Sequence, residues 1–411
     1  MDITNNVNYL KIGVIILQLS CPLFVTAESN ETYPVVNSNT ILSSEYLSST
    51  YHRVDSVDIN NDFYHFIVES DIGQYDIYSL ALLTKRVNEI KTISRAINTY
   101  KQQDDKFSGE LRSQLSLSGD SAVDFLTSPL NTASNLAGQL ADNFNATLTG
   151  EDPFHADQSN SPSFNEPDNP TTAIHKRNIA FQLGLDVYTS NLKVQSFLNV
   201  VANARASGRI SAGIGLSDDF SNRASVSELD LEIKYLIKNK SVAELNYYNT
   251  ERLSMIGIKP SLIKTFIDNS ILSPTNKTTI TSYLSKMEHV SRLDSFIALV
   301  LTTNNELMAS VYERMSQVLW QYYNNTERFT AFYSYKDHVA VITESRRIVF
   351  FDYADLLIWS EDKQKQYEQY AKHAEKSGYK GWEIVSLGNV STIASQKISE
   401  LAFKLQTNFQ E

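Results

Sequence analysis

The stretch from residue 169 to residue 191 reads NPTTAIHKRNIAFQLGLDVYTSN and carries the densest set of local structure signals in the chain. Asn169 is a favoured N-cap residue, and Pro170 suits the first position of a helix. Gly184 is typical of the residue that ends a helix, because glycine adopts a positive φ without strain. The stretch therefore predicts a helix after Asn169, a polar turn after Gly184, and a second helix after Asn191.

Upstream of this stretch, residues 151–168 combine three prolines with Asp, Ser and Asn, which is typical of a linker. Residues 28–150 before it form a predicted N-terminal domain. Short alternating apolar runs separated by turn residues predict a three-stranded β-meander there. These runs cover residues 54–59, 63–69 and 75–78. A helix over residues 79–97 has apolar positions three and four apart, so we expect it to lie across the meander and bury the sheet.

Downstream, residues 169–326 form the predicted helical domain, whose helices begin at recognisable caps such as the capping box from Ser241 to Glu244. Residues 327–411 alternate strand and helix patterns, including a closing helix predicted over residues 392–405. The fold class that follows is α+β. It consists of an N-terminal antiparallel β-meander with helix, a central all-helical region and a small C-terminal α+β domain.

The composition indicates folded domains and narrows the list of partners. The 411 residues are 42% hydrophobic and 20% charged, which supports packed cores and two or three domains. The 36 basic and 47 acidic residues give a net charge of -11. Without a clustered basic face, such a chain is a poor candidate for binding nucleic acid, whose phosphates attract lysine and arginine. The same charge disfavours docking on anionic lipid.

The N-terminus predicts an export signal. Lys11 precedes an apolar run that ends at Val25, and Val25-Thr26-Ala27 offers a small-residue cleavage site. The run is too short and too polar for a good membrane-spanning helix, and no later stretch is long and apolar enough for one. We therefore predict that residues 1–27 are a signal peptide of an exported protein, periplasmic or secreted. A buried N-terminal helix and an uncleaved anchor are the alternatives.

The single cysteine, Cys21, lies inside the predicted signal peptide. Cleavage after Ala27 therefore leaves a mature chain without cysteine. Such a chain has no disulfide, no thiolate zinc site and no cysteine nucleophile. Its stability then rests on its hydrophobic cores.

Linear catalytic motifs such as G-x-S-x-G, H-E-x-x-H and the P-loop do not occur in the chain. Two groups are candidates for acid–base chemistry. One is His65 with Glu69, which share a strand face in a period of two. The other gathers residues near one another in the C-terminal domain, namely Asp337, His338, Asp352 and Asp355. Surface, turn and capping roles explain the same residues and are the favoured interpretation.

Cofactor and metal sites are not indicated either. Asp58, Asn60, Asp62 and Glu69 fall at EF-hand positions, but Phe63 stands where that loop needs glycine. Residues 386–389 follow a predicted strand and precede a helix, a place where backbone amides can bind an anion. Turn and capping roles are again favoured there. We predict no metal and no cofactor.

Four residues around the opening stretch are candidates for interaction: Lys176, Arg177, Asp186 and Tyr188. With His175, the two basic residues can grip an anion; the favoured interpretation is that they are solvated charges on a helix face. Asp186 and Tyr188 lie in the polar turn before the second helix. Structural roles are expected for all four before functional ones.

Several phrases of the sequence together resemble a family of exported bacterial proteins of unknown function. They are Ser70-x-x-Gly73-x-Tyr75-x-Ile77, Lys176-Arg177-x-x-Ala180-x-x-Leu183-Gly184-x-Asp186-x-Tyr188-Thr189, Leu253-x-x-Ile256-Gly257, Phe266-x-Asp268-Asn269 with Ser273-Pro274-Thr275, and Asp352-Tyr353 before Trp359. The resemblance covers most of the mature chain. It implies export from a bacterial cell, and it carries neither an activity nor catalytic residues.

Two hypotheses of function follow from the sequence. The first is an exported non-catalytic protein that binds a protein partner or an envelope component through its helical region. The second is an exported hydrolase without a linear motif, in which scattered carboxylates and histidines meet in the fold. The helix-rich middle and the missing motifs favour the first.

Overall fold

The computed structural model describes residues 30–117, 164, 166–210, 227–335, 338–407 and 409. The predicted signal peptide at 1–27, most of the predicted linker at 151–168, and Asp337 lie outside these described residues. Their predictions therefore stay predictions.

The N-terminal part of the described chain is an antiparallel sheet covered by helices. Two short helices, α1 (Ser38–Ile41) and α2 (Ser44–Leu47), precede strands β1 (His52–Asn60), β2 (Phe63–Ser70) and β3 (Gly73–Tyr78). The strands pair in chain order. Asn61 and Asp62, between β1 and β2, have φ angles of 49° and 68°, the backbone that a two-residue hairpin turn requires.

Helices α3 (Leu80–Gln103) and α4 (Asp105–Leu117) follow the sheet. Helix α3 contacts all three strands. Its buried side chains repeat three and four positions apart, and they are Leu83, Val87, Ile90, Ile93 and Ile97. The expectation that this helix covers the meander is confirmed.

The middle of the chain is helical. Its helices are α5 (Pro170–Leu183), α6 (Leu192–Ala206), α7 (Glu228–Asn239), α8 (Val242–Met255), α9 (Pro260–Asp268), α10 (Pro274–Ser285), α11 (Leu293–Val300) and α12 (Glu306–Asn325). The side chain of Asn169 accepts hydrogen bonds from the backbone of Thr171 and Thr172, so it caps α5 as predicted. The capping box at Ser241 is formed as well.

The C-terminal part of the chain is a mixed sheet between two layers of helices. Its elements are β4 (Phe329–Tyr335), β5 (His338–Thr343), β6 (Arg347–Asp352), β7 (Leu356–Leu357), α13 (Glu361–Ser377), β8 (Gly381–Ser386), β9 (Asn389–Val390), α14 (Thr392–Glu400) and β10 (Lys404–Gln406). The strand order is β10-β8-β6-β5-β4. Strands β6, β8 and β10 are parallel, with α13 and α14 as the crossovers between them.

The helix predicted over residues 392–405 is wrong at its C-terminal end. It ends at Glu400, and Ala402 has a φ of 64°, which turns the chain away from the helix. Residues 404–406 then pair with β8 as a parallel edge strand, with Leu405 opposite Ile384. The apolar Leu405 fits a helix face and an edge strand equally well, so the local pattern did not distinguish the two.

Three large hydrophobic clusters and a small one around Leu229, Ile233 and Tyr283 hold the described elements together. The first joins the N-terminal sheet and α3 to α5 and α6, so Ile90 and Ile179 share one core across the predicted linker. The second joins α8–α12 to one face of the C-terminal sheet, and the third joins the other face to α13 and α14. The predicted fold class is therefore confirmed, whereas the domain boundaries stay predictions. Within the described ranges, no helix combines the length and the apolar character needed to cross a bilayer.

Candidate functional site

The candidate site surrounds the loop between α5 and α6, residues 184–191. Gly184 ends α5 with a φ of 65°. A carboxylate oxygen of Asp186 accepts a hydrogen bond from the backbone N–H of Tyr188 (3.0 Å), and Asn191 accepts one from the N–H of Lys193 (3.1 Å). The loop therefore fixes its own backbone through its polar side chains, as the sequence pattern indicated.

Asp186 connects this loop to two other elements. Its Oδ2 lies 3.2 Å from Nζ of Lys85 on α3, and its Oδ1 accepts a hydrogen bond from the hydroxyl of Thr275 on α10 (2.6 Å). The carboxylate is mostly buried, whereas Lys85 is about one-third exposed. This ion pair thus lies at the point where the site reaches the surface.

Arg86 is the central buried cation, with only 3% of its side chain exposed. Its Nη1 donates to Glu89 Oε2 (2.7 Å), and its Nη2 donates to Glu306 of α12 and to the hydroxyl of Ser190 (3.2 Å). Burial by itself would raise the pKa of Glu306, but Arg86 and the bond from Ser190 outweigh burial and hold that pKa below its usual range. Glu89 and Glu306 therefore share one guanidinium.

Glu89 also binds the loop directly. Glu89 accepts hydrogen bonds from the hydroxyl of Thr189 (2.9 Å) and from Nδ2 of Asn191 (2.8 Å). Because Glu89 lies on α3 and its donors lie in the loop, the loop is tied to α3 by charge-assisted bonds.

A cavity of about 20 Å³ lies beside these ion pairs, which is room for about one water molecule. Its polar lining includes Lys85, Asp186, Asn276, Glu306, Ser310 and Glu313. Burial raises the pKa of Glu313, and the nearby Asp186 raises it further, although Lys85 opposes both. Asn276 Nδ2 donates to Glu313 Oε2 (2.5 Å). The volume suits a bound water rather than an organic substrate.

Lys176 lies under the same loop and is 96% buried, with a relative exposure of 4%. Its ammonium donates to Oε1 of Gln195 (2.7 Å), and Nε2 of Gln195 donates to the carbonyl oxygens of Val187 (2.8 Å) and Thr189 (2.9 Å). Burial lowers the pKa of Lys176 to about 8, against the smaller effect of Glu166. The interpretation of this lysine as a solvated helix-face charge is wrong, because the α5 face that carries it packs inward.

Arg177 and Tyr188 share one partner, Glu166. Arg177 Nη1 donates to Glu166 Oε1, and the Tyr188 hydroxyl donates to the same oxygen at 3.0 Å. Burial, and after it the charge of Glu166, raises the pKa of Tyr188 above its usual value. The four predicted interaction residues are thus brought together around one loop. Asp186 and Tyr188 belong to the loop, whereas Lys176 and Arg177 donate to Gln195 and Glu166, which contact it.

Sequence reasoning missed Arg86, Glu89, Glu306 and Glu313. A signal for Arg86 was present, because it stands four residues after Leu82 and four before Ile90, inside the apolar stripe of α3. A charge at such a position predicts a buried partner. The sequence did not show which carboxylate that partner would be.

The proposed pair of His65 and Glu69 is not formed. The register of β1 and β2 places Asp58 opposite His65 and Arg53 opposite Glu69. His65 Nδ1 accordingly contacts Asp58 (2.8 Å) while Nε2 contacts Asp76 of β3, and Glu69 accepts from Arg53 (2.9 Å). Each ring nitrogen of His65 thus faces a carboxylate of a neighbouring strand rather than Glu69.

The carboxylates of Asp352 and Asp355 connect different structural elements through hydrogen bonds. Asp352 accepts hydrogen bonds from Lys363 (3.1 Å) and from the hydroxyl of Tyr367 (2.9 Å). Asp355 Oδ2 accepts the backbone N–H groups of Tyr64 (3.1 Å) and Leu80 (2.9 Å), so it links the C-terminal part to β2 and to the start of α3. Burial raises the pKa of Asp355 to about 6.

His338, the remaining described member of that group, accepts a hydrogen bond from Nε2 of Gln366 (2.9 Å). In residues 386–389, for which turn and capping roles were favoured over anion binding, a Cβ on Gly388 would lie 2.2 Å from the carbonyl oxygen of Ala354 and 2.4 Å from that of Asp355. Glycine at this position is therefore explained by close backbone packing. The following helix, α14, is capped by Ser391, whose hydroxyl accepts from Ala394 N–H (3.0 Å).

In the part of the chain that the structure describes, no group of three His, Cys, Asp or Glu residues is arranged to hold a metal ion. Comparison with protein families, with curated proteins and with solved structures finds no match for this chain.

Proposed function

We propose that this chain is an exported, non-catalytic protein that binds a partner through its helical region. The observation that supports it most is an exposed apolar surface on α5 and α7. Leu231 is 45% exposed and Tyr235 is 52% exposed on α7, and the Tyr235 ring lies 5.4 Å, centroid to centroid, from Phe181 of α5. We call Phe181, Leu231 and Tyr235 the α5/α7 face. Neighbouring exposed aromatic and aliphatic side chains are typical of protein interfaces.

Helix α7 packs against both α10 and α5. The helix is anchored by Leu229 and Ile233, which are buried against Tyr283 of α10. Leu231 and Tyr235 are four residues apart and lie together on the other side of the helix. Their exposure is therefore explained better by a binding role than by a role in the core.

The contacts of the acid–base residues also support binding over catalysis. The hydrolase hypothesis relied on His65 with Glu69, and on Asp337, His338, Asp352 and Asp355. Those that the structure describes are each engaged in bonds that join strands or helices. A hydrolase needs such groups to face a space that admits its substrate.

Export is tested by cell fractionation with N-terminal sequencing of the purified chain. We expect the protein outside the cytoplasm and a mature N-terminus at Glu28. A cytoplasmic chain that begins at Met1 would contradict export.

Binding is tested by affinity capture from an envelope extract with the full chain and two variants. Leu231→Ser with Tyr235→Ser alters the α5/α7 face. Tyr247→Ser with Met255→Ser is the matched control, because those side chains are also exposed (65% and 73%) but lie on α8. We expect the control to retain a partner that the first variant loses. Equal capture by both variants would show that the α5/α7 face does not bind.

A further inference from the structure

We propose that the partner of the α5/α7 face is an acidic protein segment that also presents aromatic or aliphatic side chains. This inference rests on the proposed binding function and assigns the chemistry of the partner. It comes from the lysines that surround the face.

Lys234 and Lys238 lie on the same side of α7 as Leu231 and Tyr235, because these positions are three and four residues apart; Lys234 is exposed and Lys238 is half-buried. The ammonium of Lys238 lies 4.4 Å from the centroid of the Phe181 ring and 5.9 Å from that of Tyr235. This cation–π contact holds one positive charge directly above the apolar surface. Charge and apolar area therefore form one continuous patch.

Among the described residues, no Asp or Glu oxygen lies within 4.0 Å of the ammonium of Lys234 or Lys238. Two of the three acidic residues of α7 are used elsewhere: Glu232 faces Lys286 (3.6 Å), and Asp230 accepts from the hydroxyl of Tyr283 (2.5 Å). Asp230 and Glu232 thus turn toward α10, Glu228 lies exposed in the first turn, and Lys234 and Lys238 lie on the side of the helix that carries Tyr235.

The occupant that complements this patch carries carboxylates for the lysines and rings or aliphatic groups for Leu231 and Tyr235. A long polyanion such as nucleic acid is disfavoured, because it would also meet the field of a chain whose net charge is -11. A short acidic segment experiences mainly the local lysines, since salt screens charges beyond about 8 Å at physiological ionic strength. Charge complementarity therefore selects a protein segment.

The test measures binding of three fluorescein-labelled peptides to the full chain by fluorescence anisotropy. Each peptide has four tripeptide repeats: Asp-Asp-Phe, Ser-Ser-Phe or Lys-Lys-Phe. We expect the acidic peptide to bind about tenfold more tightly than the serine peptide, which corresponds to two or three exposed ion pairs. The lysine peptide should bind most weakly.

Charge-reversal variants connect that preference to the patch. Lys234→Glu with Lys238→Glu should remove the tenfold preference. The matched control is Lys372→Glu with Lys376→Glu on α13, since these two exposed lysines are likewise four residues apart on one helix. The control changes the net charge equally and should keep the preference.

The outcomes separate this inference from the proposed function. If all three peptides bind equally well and only Leu231→Ser with Tyr235→Ser weakens them, the face binds but its partner is not acidic. If that apolar variant binds the acidic peptide like the unmodified chain, the binding face itself is refuted. Sedimentation velocity provides a further arm: a dimer that Tyr235→Ser dissociates would overturn the inference by identifying the occupant as a second copy.

Discussion

Replacing Arg86 with methionine should destabilise the protein strongly. The substitution removes the guanidinium that serves Glu89 and Glu306, whose side chains are only 4% and 14% exposed. Methionine fills a similar volume but donates no hydrogen bond, so both carboxylates lose their charged partner. Breaking a buried pair in this way costs about 3–5 kcal/mol of the free energy of unfolding.

Urea denaturation followed by tryptophan fluorescence measures this loss. With a dependence on urea of roughly 3 kcal/mol per molar, a loss of about 4 kcal/mol lowers the midpoint by about 1 M. The control is Arg53→Met, because Arg53 forms its ion pairs at the surface with 65% of its side chain exposed. That variant should lose less than about 1 kcal/mol.

The loss should also depend on pH in a defined direction. The pKa of Glu306 is lowered in the folded protein, so its contribution to stability is present above its unfolded value of 4.5 and is lost as pH falls through the folded value. The difference in the free energy of unfolding between Arg86→Met and the unmodified protein should therefore decrease as the pH falls through the folded pKa of Glu306. A loss under about 1 kcal/mol at pH 7, or a gap that widens in acid, would refute a buried ion pair as the centre of this site.

Three further changes have defined outcomes, each measured by urea denaturation. Burial raises the pKa of Asp355 from 3.8 to about 6, so the contribution of this carboxyl to stability is full below pH 3.8 and is lost as pH rises through 6. At pH 8, Asp355→Asn should therefore be more stable than the unmodified protein by about 2–3 kcal/mol. An unchanged dependence of stability on pH in the variant would contradict this. Gly388→Ala should lower the free energy of unfolding by about 3 kcal/mol, because its Cβ would lie 2.2 Å from a carbonyl oxygen. The control Gly109→Ala, whose Cβ would have no atom within 4 Å, should stabilise α4 by about 0.5–1 kcal/mol. Similar effects at both glycines would exclude the packing explanation. Tyr188→Phe should cost about 1–2 kcal/mol by removing a hydrogen bond to the carboxylate of Glu166, and a neutral result would mean that this bond does not hold the loop.

The fold class was predictable because its signals are local. The cap at Asn169, the helix end at Gly184 and the period-two runs of the meander each depend on residues a few positions apart. Backbone geometry and capping act over the same distance, so these elements follow from the sequence directly. The helix prediction was wrong at residues 404–406, because these residues form a parallel edge strand only by pairing with β8. The sequence of the segment alone does not indicate that partner.

The candidate site was predictable only in part. The sequence pointed to Lys176, Arg177, Asp186 and Tyr188 because their stretch is dense in local signals. It did not indicate that these side chains are buried. Arg86 meets Glu306 across 220 positions of the chain.

Pairs at such separation are decided by how helices pack, and no short window of sequence contains that information. The sequence by itself therefore determined the helices, the strands and the charged residues inside their apolar faces. Only the tertiary structure decided which charges meet, because a charge withdrawn from water is stable only where the packed elements bring it an opposite charge.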